Sequence, residues 1–154
     1  AKKKLENILT IIIPRHIHRV NKIYSSLKNL GLKVQIKAEA DDIDNLADVV
    51  LVNYYGSVNK YLQNINQIFI GKSILKKFEN SGGQNPLEAA KIGCHIFHGP
   101  YVSNFEDIYK FLSKHSISNH DLNLYFFKNI SKEVAASSSA LSEIVLKITQ
   151  GTFS

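Results

Sequence analysis

At 154 residues the chain suits one domain and can bury a real core, and 44% apolar residues is ordinary for a soluble globular protein. A net charge of +6 and a pI near 9.3 leave two readings, an anionic partner (nucleic acid, an acidic membrane surface, a phosphorylated substrate) or a lysine-rich solvated surface. Cys94 is the one cysteine, which excludes an internal disulfide; no apolar run is long enough to span a membrane, and no signal-peptide pattern precedes the first apolar segment.

After a basic start at Lys2–Lys4, Ile8 to Ile13 is β-branched and almost wholly apolar, the pattern of a parallel strand covered on both faces, and Pro14 ends it. Arg15 and His16 then precede a helix expected over 17–30, with Ile17, Val20, Ile23, Tyr24, Leu27 and Leu30 on its buried face and Gly31 as its stop. Strands are expected at 32–36 and 46–52, a short helix at 58–62 after the turn Asn53-Tyr54-Tyr55-Gly56-Ser57, and a strand at 67–70 stopped by Gly71. Residues 72–84 read as a loop with a basic patch at Lys72, Lys76 and Lys77.

The densest stretch follows, SGGQNPLEAAKIGCHIFHGP over 81–100. Gly82 and Gly83 permit a sharp turn and close approach of a ligand to the backbone. Asn85 is an N-cap, Pro86 fits the first helical turn, and Glu88 stands where a capping box would close on Asn85. A short helix runs to Gly93, Cys94 to Phe97 is a buried strand with Cys94 as a small core residue, and Gly99-Pro100 ends it. Asn104 to Lys114 is amphipathic through Phe105, Ile108, Phe111 and Leu112, with Asn104 as cap. Beyond about 119 a strand over 122–127 and a helix over 131–148 are expected, with Leu141, Ile144, Val145 and Ile148 on one face.

Alternating strands and helices mean βαβ units and an α/β, Rossmann-like parallel sheet with flanking helices. Ligands on such sheets bind beyond the C-terminal strand ends. Three separated turns, at 14–16, 55–57 and 81–88, are expected to share that rim. His16/His18 and His95/His98 are spaced as pairs, yet no Cys, Asp or Glu joins either at a zinc spacing, so no metal and no cofactor is expected. No nucleophile elbow is visible.

Gly-Gly-Gln-Asn-Pro-Leu-Glu-Ala-Ala at 82–90, followed by Gly-Pro at 99–100 and Asn104-Phe105, resembles the signature of the bacterial 3-deoxy-D-manno-octulosonic acid (Kdo) transferases, glycosyltransferases of the two-Rossmann-domain GT-B type. Ile11 to His16 resembles the family's apolar strand ending in Pro-Arg-His, and Arg19 its next arginine. The resemblance implies a truncated C-terminal half of such an enzyme: a partial donor-binding domain over 1–118 and a C-terminal helical tail of the same domain over 119–154. It implies transfer of Kdo from cytidine monophosphate-Kdo (CMP-Kdo) to a lipid A precursor in lipopolysaccharide biosynthesis, at the cytoplasmic face of the inner membrane. CMP would then be bound by Pro14, Arg15, Tyr55, Gly56, Ser57, Asn85, Pro86, Leu87 and Glu88, with Arg15 on the phosphate and Glu88 at the ribose hydroxyls.

The family's catalytic base and membrane-anchoring segment belong to an N-terminal acceptor domain, so no catalytic residue is expected in this chain, and the lipid A precursor would be met through that domain. Peripheral contact with an anionic membrane is compatible with the charge. Where the family carries Asp-Thr-x-Gly-Glu-Leu, this chain has Asn53 and Ser57 in place of two carboxylates, and Lys72 replaces a glycine after the 67–70 strand. Two alternatives follow: an inactive relic or split-gene fragment, and a basic nucleotide- or nucleic-acid-binding module. No RNP, KH or helix-turn-helix pattern supports the latter, and no nucleic acid is expected as partner.

Overall fold

The computed structural model describes residues 8–119 and 143–149. Strands β1 (Ile8–Pro14), β2 (Val34–Lys37), β3 (Val49–Val52), β4 (Gln67–Ile70), β5 (His95–His98), β6 (Ser118–Asn119) and β7 (Glu143–Thr149) form a 7-stranded sheet in the order β2-β3-β1-β7-β4-β5-β6. Helices α1 (Val20–Asn29), α2 (Val58–Leu62), α3 (Leu87–Ile92) and α4 (Glu106–Lys114) connect them. Every pairing among β1 to β6 is parallel, whereas β7 runs antiparallel to both its neighbours.

The strands alternate strictly between two apolar layers. Leu9, Ile11, Ile13, Val50, Val52, Ile68 and Ile70 pack with Tyr61, Leu62, Ala89, Cys94, Tyr109 and Leu112, that is, beneath α2, α3 and α4. Ile12, Val49, Leu51 and Phe69 point the other way and pack with Val20, Ile23 and Leu27 of α1. A sheet covered on both faces buries successive residues, which is why its strands read as unbroken apolar runs. Burial of the Cys94 thiol pushes its pKa up, consistent with a packing role beneath the Leu62 and Ile65 carbonyls.

Several expectations are corrected. The expected helix at 17–30 opens with a 3-10 turn at Ile17–Arg19, and Leu30 is exposed. On α4 the buried face turns toward Tyr109 and Leu112, with Phe105 and Ile108 partly buried beside them; these four follow the i, i+3, i+4, i+7 stripe, and Phe111 falls outside it, exposed and tilted against His115 at 4.5 Å. Asn104 does not cap α4: its Nδ2 donates to the Ser81 carbonyl at 3.0 Å.

The helical tail expected through 148 is replaced over 143–149 by β7, and the earlier part of that expectation, with the 122–127 strand, lies outside the described residues. Ile144, Val145, Ile148 and Thr149 are β-branched, and a free slot between β1 and β4 decides the matter where spacing alone could not. The last seven described residues are thus part of the sheet that holds the first strand, with Glu143 opposite Pro14 and Thr149 opposite Ile8.

Candidate functional site

Three connections leave the C-terminal ends of β1, β3 and β4. After β1, Pro14 is buried and Arg15 is exposed, with no partner among the described residues. His16 is exposed and stacks on His18 at 5.6 Å.

The connection after β3 is held from below. Lys37, 4% exposed at the end of β2, donates from Nζ to the Ala38 carbonyl at 3.0 Å and to that of Asp41. Its ammonium also lies 5.6 Å from the centre of the Tyr54 ring. The Tyr54 hydroxyl donates to that of Tyr61 at 3.2 Å. Burial pushes the Tyr61 hydroxyl far above the usual phenol range, so Tyr61 stays neutral at physiological pH. Tyr55 is 67% exposed, Gly56 takes φ +77°, and Ser57 is 2% exposed.

The connection after β4 is clamped by the segment that follows β5. The buried Ser73 hydroxyl donates to the Ile70 carbonyl and accepts the Gly99 N–H, both at 2.8 Å. The Lys72 carbonyl accepts the Gly83 N–H at 2.8 Å, the Gly82 carbonyl accepts the Asn104 N–H at 3.0 Å, and the buried Tyr109 hydroxyl donates to the Gln84 carbonyl at 2.9 Å. Lys72, where the resemblance implies a glycine, takes the glycine-like conformation itself, at φ +58°.

This clamp revises the reading of the paired glycines. A Cβ on Gly82 would lie 2.6 Å from the Phe78 carbonyl oxygen and nearer still to that of Tyr101; one on Gly83 would meet Val102 Cα at 3.0 Å. Protein backbone, not open space for a ligand, fills the room those glycines leave. Gly56 differs: a Cβ there meets nothing within 4 Å, and only its positive φ favours glycine. Gly82→Ala is therefore expected to cost about 1–3 kcal/mol as overpacking against rigid backbone, read as a lowered urea midpoint. A Gly82→Ala midpoint equal to wild type would mean that the 78–82 and 99–104 segments are not packed as described.

The helix start departs from expectation by detail. Pro86, not Asn85, stands at the N-cap of the short α3; Asn85 lies one residue before it, and its Oδ1 accepts the Leu87 N–H at 3.0 Å. The capping box is not formed: Glu88 is exposed and has no partner among the described residues.

These connections meet in one open cleft of about 220 Å³. Ile13, Pro14 and Arg15 come from the first, Tyr54 through Val58 from the second, and Gln84 from the third. Of the expected site residues, Pro14, Arg15, Tyr55, Gly56 and Ser57 line the cleft; Asn85, Pro86, Leu87 and Glu88 do not. Glu88 follows Gln84 by four residues, at most about 14 Å of chain away on the same rim. Sequence reasoning missed Gln84, although it stands inside the motif, and it missed the support of Tyr54 by Lys37 and Tyr61. A lysine closing a strand and two tyrosines seven residues apart carry no local signal of contact.

No protein-family model matches the chain. Over 114 residues, 73% of this chain, it is 31% identical to the 3-deoxy-D-manno-octulosonic acid transferase of Aquifex aeolicus, and over 109 residues, 71% of the chain, 31% identical to that of Rickettsia felis. It is also 29% identical over 117 residues to a bifunctional glycosyltransferase/methyltransferase of Fusobacterium nucleatum. These matches span only 30%, 22% and 18% of the respective relatives' lengths. Among solved structures, the C-terminal CMP-Kdo binding domain of WaaA from Acinetobacter baumannii matches with a TM-score of 0.63 at 20% identity, covering 82% of this chain and 70% of that one.

Proposed function

We propose that the rim cleft of this chain, which is similar over 73% and 71% of its length to part of two Kdo transferases and shares the fold of a C-terminal CMP-Kdo binding domain, is a donor site for CMP-Kdo. The observation that carries this reading is the convergence of Pro14-Arg15, Tyr55-Gly56-Ser57 and the start of the Gln-Asn-Pro-Leu-Glu motif at one cleft. Arg15 lines it as an exposed guanidinium with no partner among the described residues, and its planar fork can take two phosphate oxygens at once, which a lysine cannot. Glu88 is exposed, has no partner among the described residues, and is assigned here to the ribose hydroxyls. Asn85 and Pro86 set the start of α3, and Leu87 extends the same exposed edge.

The cleft, at about 220 Å³, is smaller than the roughly 300 Å³ at which ligand pockets begin. It would take part of a nucleotide sugar and leave the Kdo unit projecting past the rim. In the proposed whole reaction Kdo passes to a lipid A precursor with inversion and CMP departs; Arg15 stabilises the charge that develops on the leaving phosphate. The base and the acceptor site belong to other parts of such an enzyme, working at the cytoplasmic face of the inner membrane. Among the described residues no helix is long and apolar enough to cross a membrane.

Two tests separate this reading from its rivals. Millimolar CMP is expected to raise the chain's melting temperature more than AMP does, because a ligand that binds only the folded state stabilises it. Supplied with CMP-Kdo and a lipid A precursor, the chain alone is expected to transfer no Kdo, and transfer by the isolated chain would refute the division of labour proposed here. The neutral Asn53 and Ser57, where the resemblance implies carboxylates, favour a second reading, an inactive relic; absence of any CMP effect on melting would support it.

A further inference from the structure

The cations of this chain are not spread evenly. Between Glu6 and Glu39, and again between Asp48 and Glu79, the sequence contains no acidic residue. The fold gathers parts of both stretches on one side of the sheet: Ile17, just before α1, and Ile74, after β4, pack against the same apolar layer as α1. Lys22 and Lys28 are exposed on α1, and Lys76 and Lys77 are exposed in the 3-10 turn Lys76–Phe78 that follows Ile74. The helices over the other layer carry both signs, with Glu88 on α3 and Glu106 and Asp107 on α4.

The turn holds its charges in place. Lys72 keeps φ +58°, a conformation that costs a side chain energy and that glycine adopts freely. Its carbonyl accepts the Gly83 N–H, and the neighbouring Ser73 is buried and bonded on both sides, so the backbone there is fixed. Lys72 Nζ and Lys77 Nζ lie 5.9 and 5.1 Å from the centre of the buried Phe78 ring, so two ammonium groups share one ring, with Lys76 beside them in sequence. None of the three lysines has a carboxylate partner among the described residues. Like charges held together repel, and an anionic partner removes that cost.

The character of the patch selects the partner. Lysines are hydrated point charges on flexible stems; spread over an exposed surface, they suit an array of phosphates better than one bound phosphate. Phe78 is buried, not free to stack on a base as single-stranded nucleic acid would require. We propose that Lys22, Lys72, Lys76 and Lys77 form a contact surface for the phosphate headgroups of an anionic phospholipid membrane. Lys22 and Lys72 both follow closely on the C-terminal strand ends, so this contact turns the cleft-bearing rim toward the lipid. The inference does not depend on what the cleft binds.

The test is co-sedimentation of the full chain with vesicles of phosphatidylcholine alone or of phosphatidylcholine mixed equally with phosphatidylglycerol. Wild type is expected to bind the mixed vesicles, not phosphatidylcholine alone, and to be released as salt rises. Lys76→Gln with Lys77→Gln is expected to lower the partition coefficient on the order of 10-fold or more, whereas Lys91→Gln with Lys114→Gln, which removes the same charge from exposed positions on α3 and α4, lowers it by less than about 2-fold. Lys72→Gly gives opposed readouts and serves should the first double variant not fold: vesicle binding about 5-fold weaker, and a melting temperature held or raised because glycine relieves the positive φ. Equal losses in the two double variants would assign the binding to net charge and overturn the patch, as would no binding to the mixed vesicles. Tighter retention on a short DNA duplex, lost with Lys76→Gln and Lys77→Gln, would give the surface to nucleic acid and overturn the membrane assignment. Patch-dependent vesicle binding by a chain whose melting CMP does not affect would sink the donor-site reading while upholding this surface.

Discussion

Val145→Pro is expected to lower the urea midpoint of the chain sharply at 25 °C. Val145 sits opposite Ile12 on one side and Phe69 on the other, in the strand that joins β1 to β4. Those two strands are not paired with each other; without β7 the sheet falls into the halves β2-β3-β1 and β4-β5-β6. Proline removes a ladder N–H from a central strand and leaves a buried carbonyl unmatched, at a cost on the order of 3 kcal/mol. That is a large share of the roughly 5–15 kcal/mol that holds a domain of this size. The effect also reaches the cleft, because Arg15 and Tyr54–Val58 hang from one half and Gln84 from the other. Far-UV circular dichroism against urea reads the result: a wild-type midpoint for Val145→Pro would mean that 143–149 do not form the seam.

The second large effect is on binding. Arg15→Ala is expected to weaken CMP by about 10- to 100-fold, the loss of charge-assisted hydrogen bonds worth roughly 1.5–3 kcal/mol. Because Arg15 is exposed and unpartnered among the described residues, its removal should leave the melting temperature of the ligand-free chain unchanged. Arg15→Lys keeps the charge and loses the fork, so only partial recovery is expected. Raising salt should narrow the gap between wild type and Arg15→Ala, since an exposed ion pair is screened. Titration by calorimetry at low and high salt checks these expectations together; equal CMP affinity for wild type and Arg15→Ala would remove Arg15 from the site.

The architecture was legible where local signals and burial agree. The bounds of α2 at 58–62 and β4 at 67–70 coincide with expectation because turn residues fence both, and Pro14 closes β1 where a missing N–H should. That three separated turns share a rim follows from parallel strands pointing one way, and that much of the site could be argued from sequence. What could not be read depends on contacts between distant residues. The segment Ile144 to Thr149 has a spacing that serves helix or strand, and only the slot between β1 and β4 makes it a strand. Asn104 has the chemistry of a helix cap and spends it on the Ser81 carbonyl, a partner set by the fold. Gly82 and Gly83 read as room for a ligand, and the segment at 101–102 fills that room. Gln84, rather than the residues after it, reaches the cleft wall because the chain turns into α3 at Leu87.

The account stands on one claim, that the rim formed after β1, β3 and β4 binds a cytidine nucleotide. Amide shift mapping of the isotope-labelled chain titrated with CMP tests it directly. The expected result is a set of saturable shifts confined to residues 14–16, 54–58 and 83–88, with the opposite ends of the strands unmoved. Shifts centred elsewhere, or none at millimolar CMP, would contradict it.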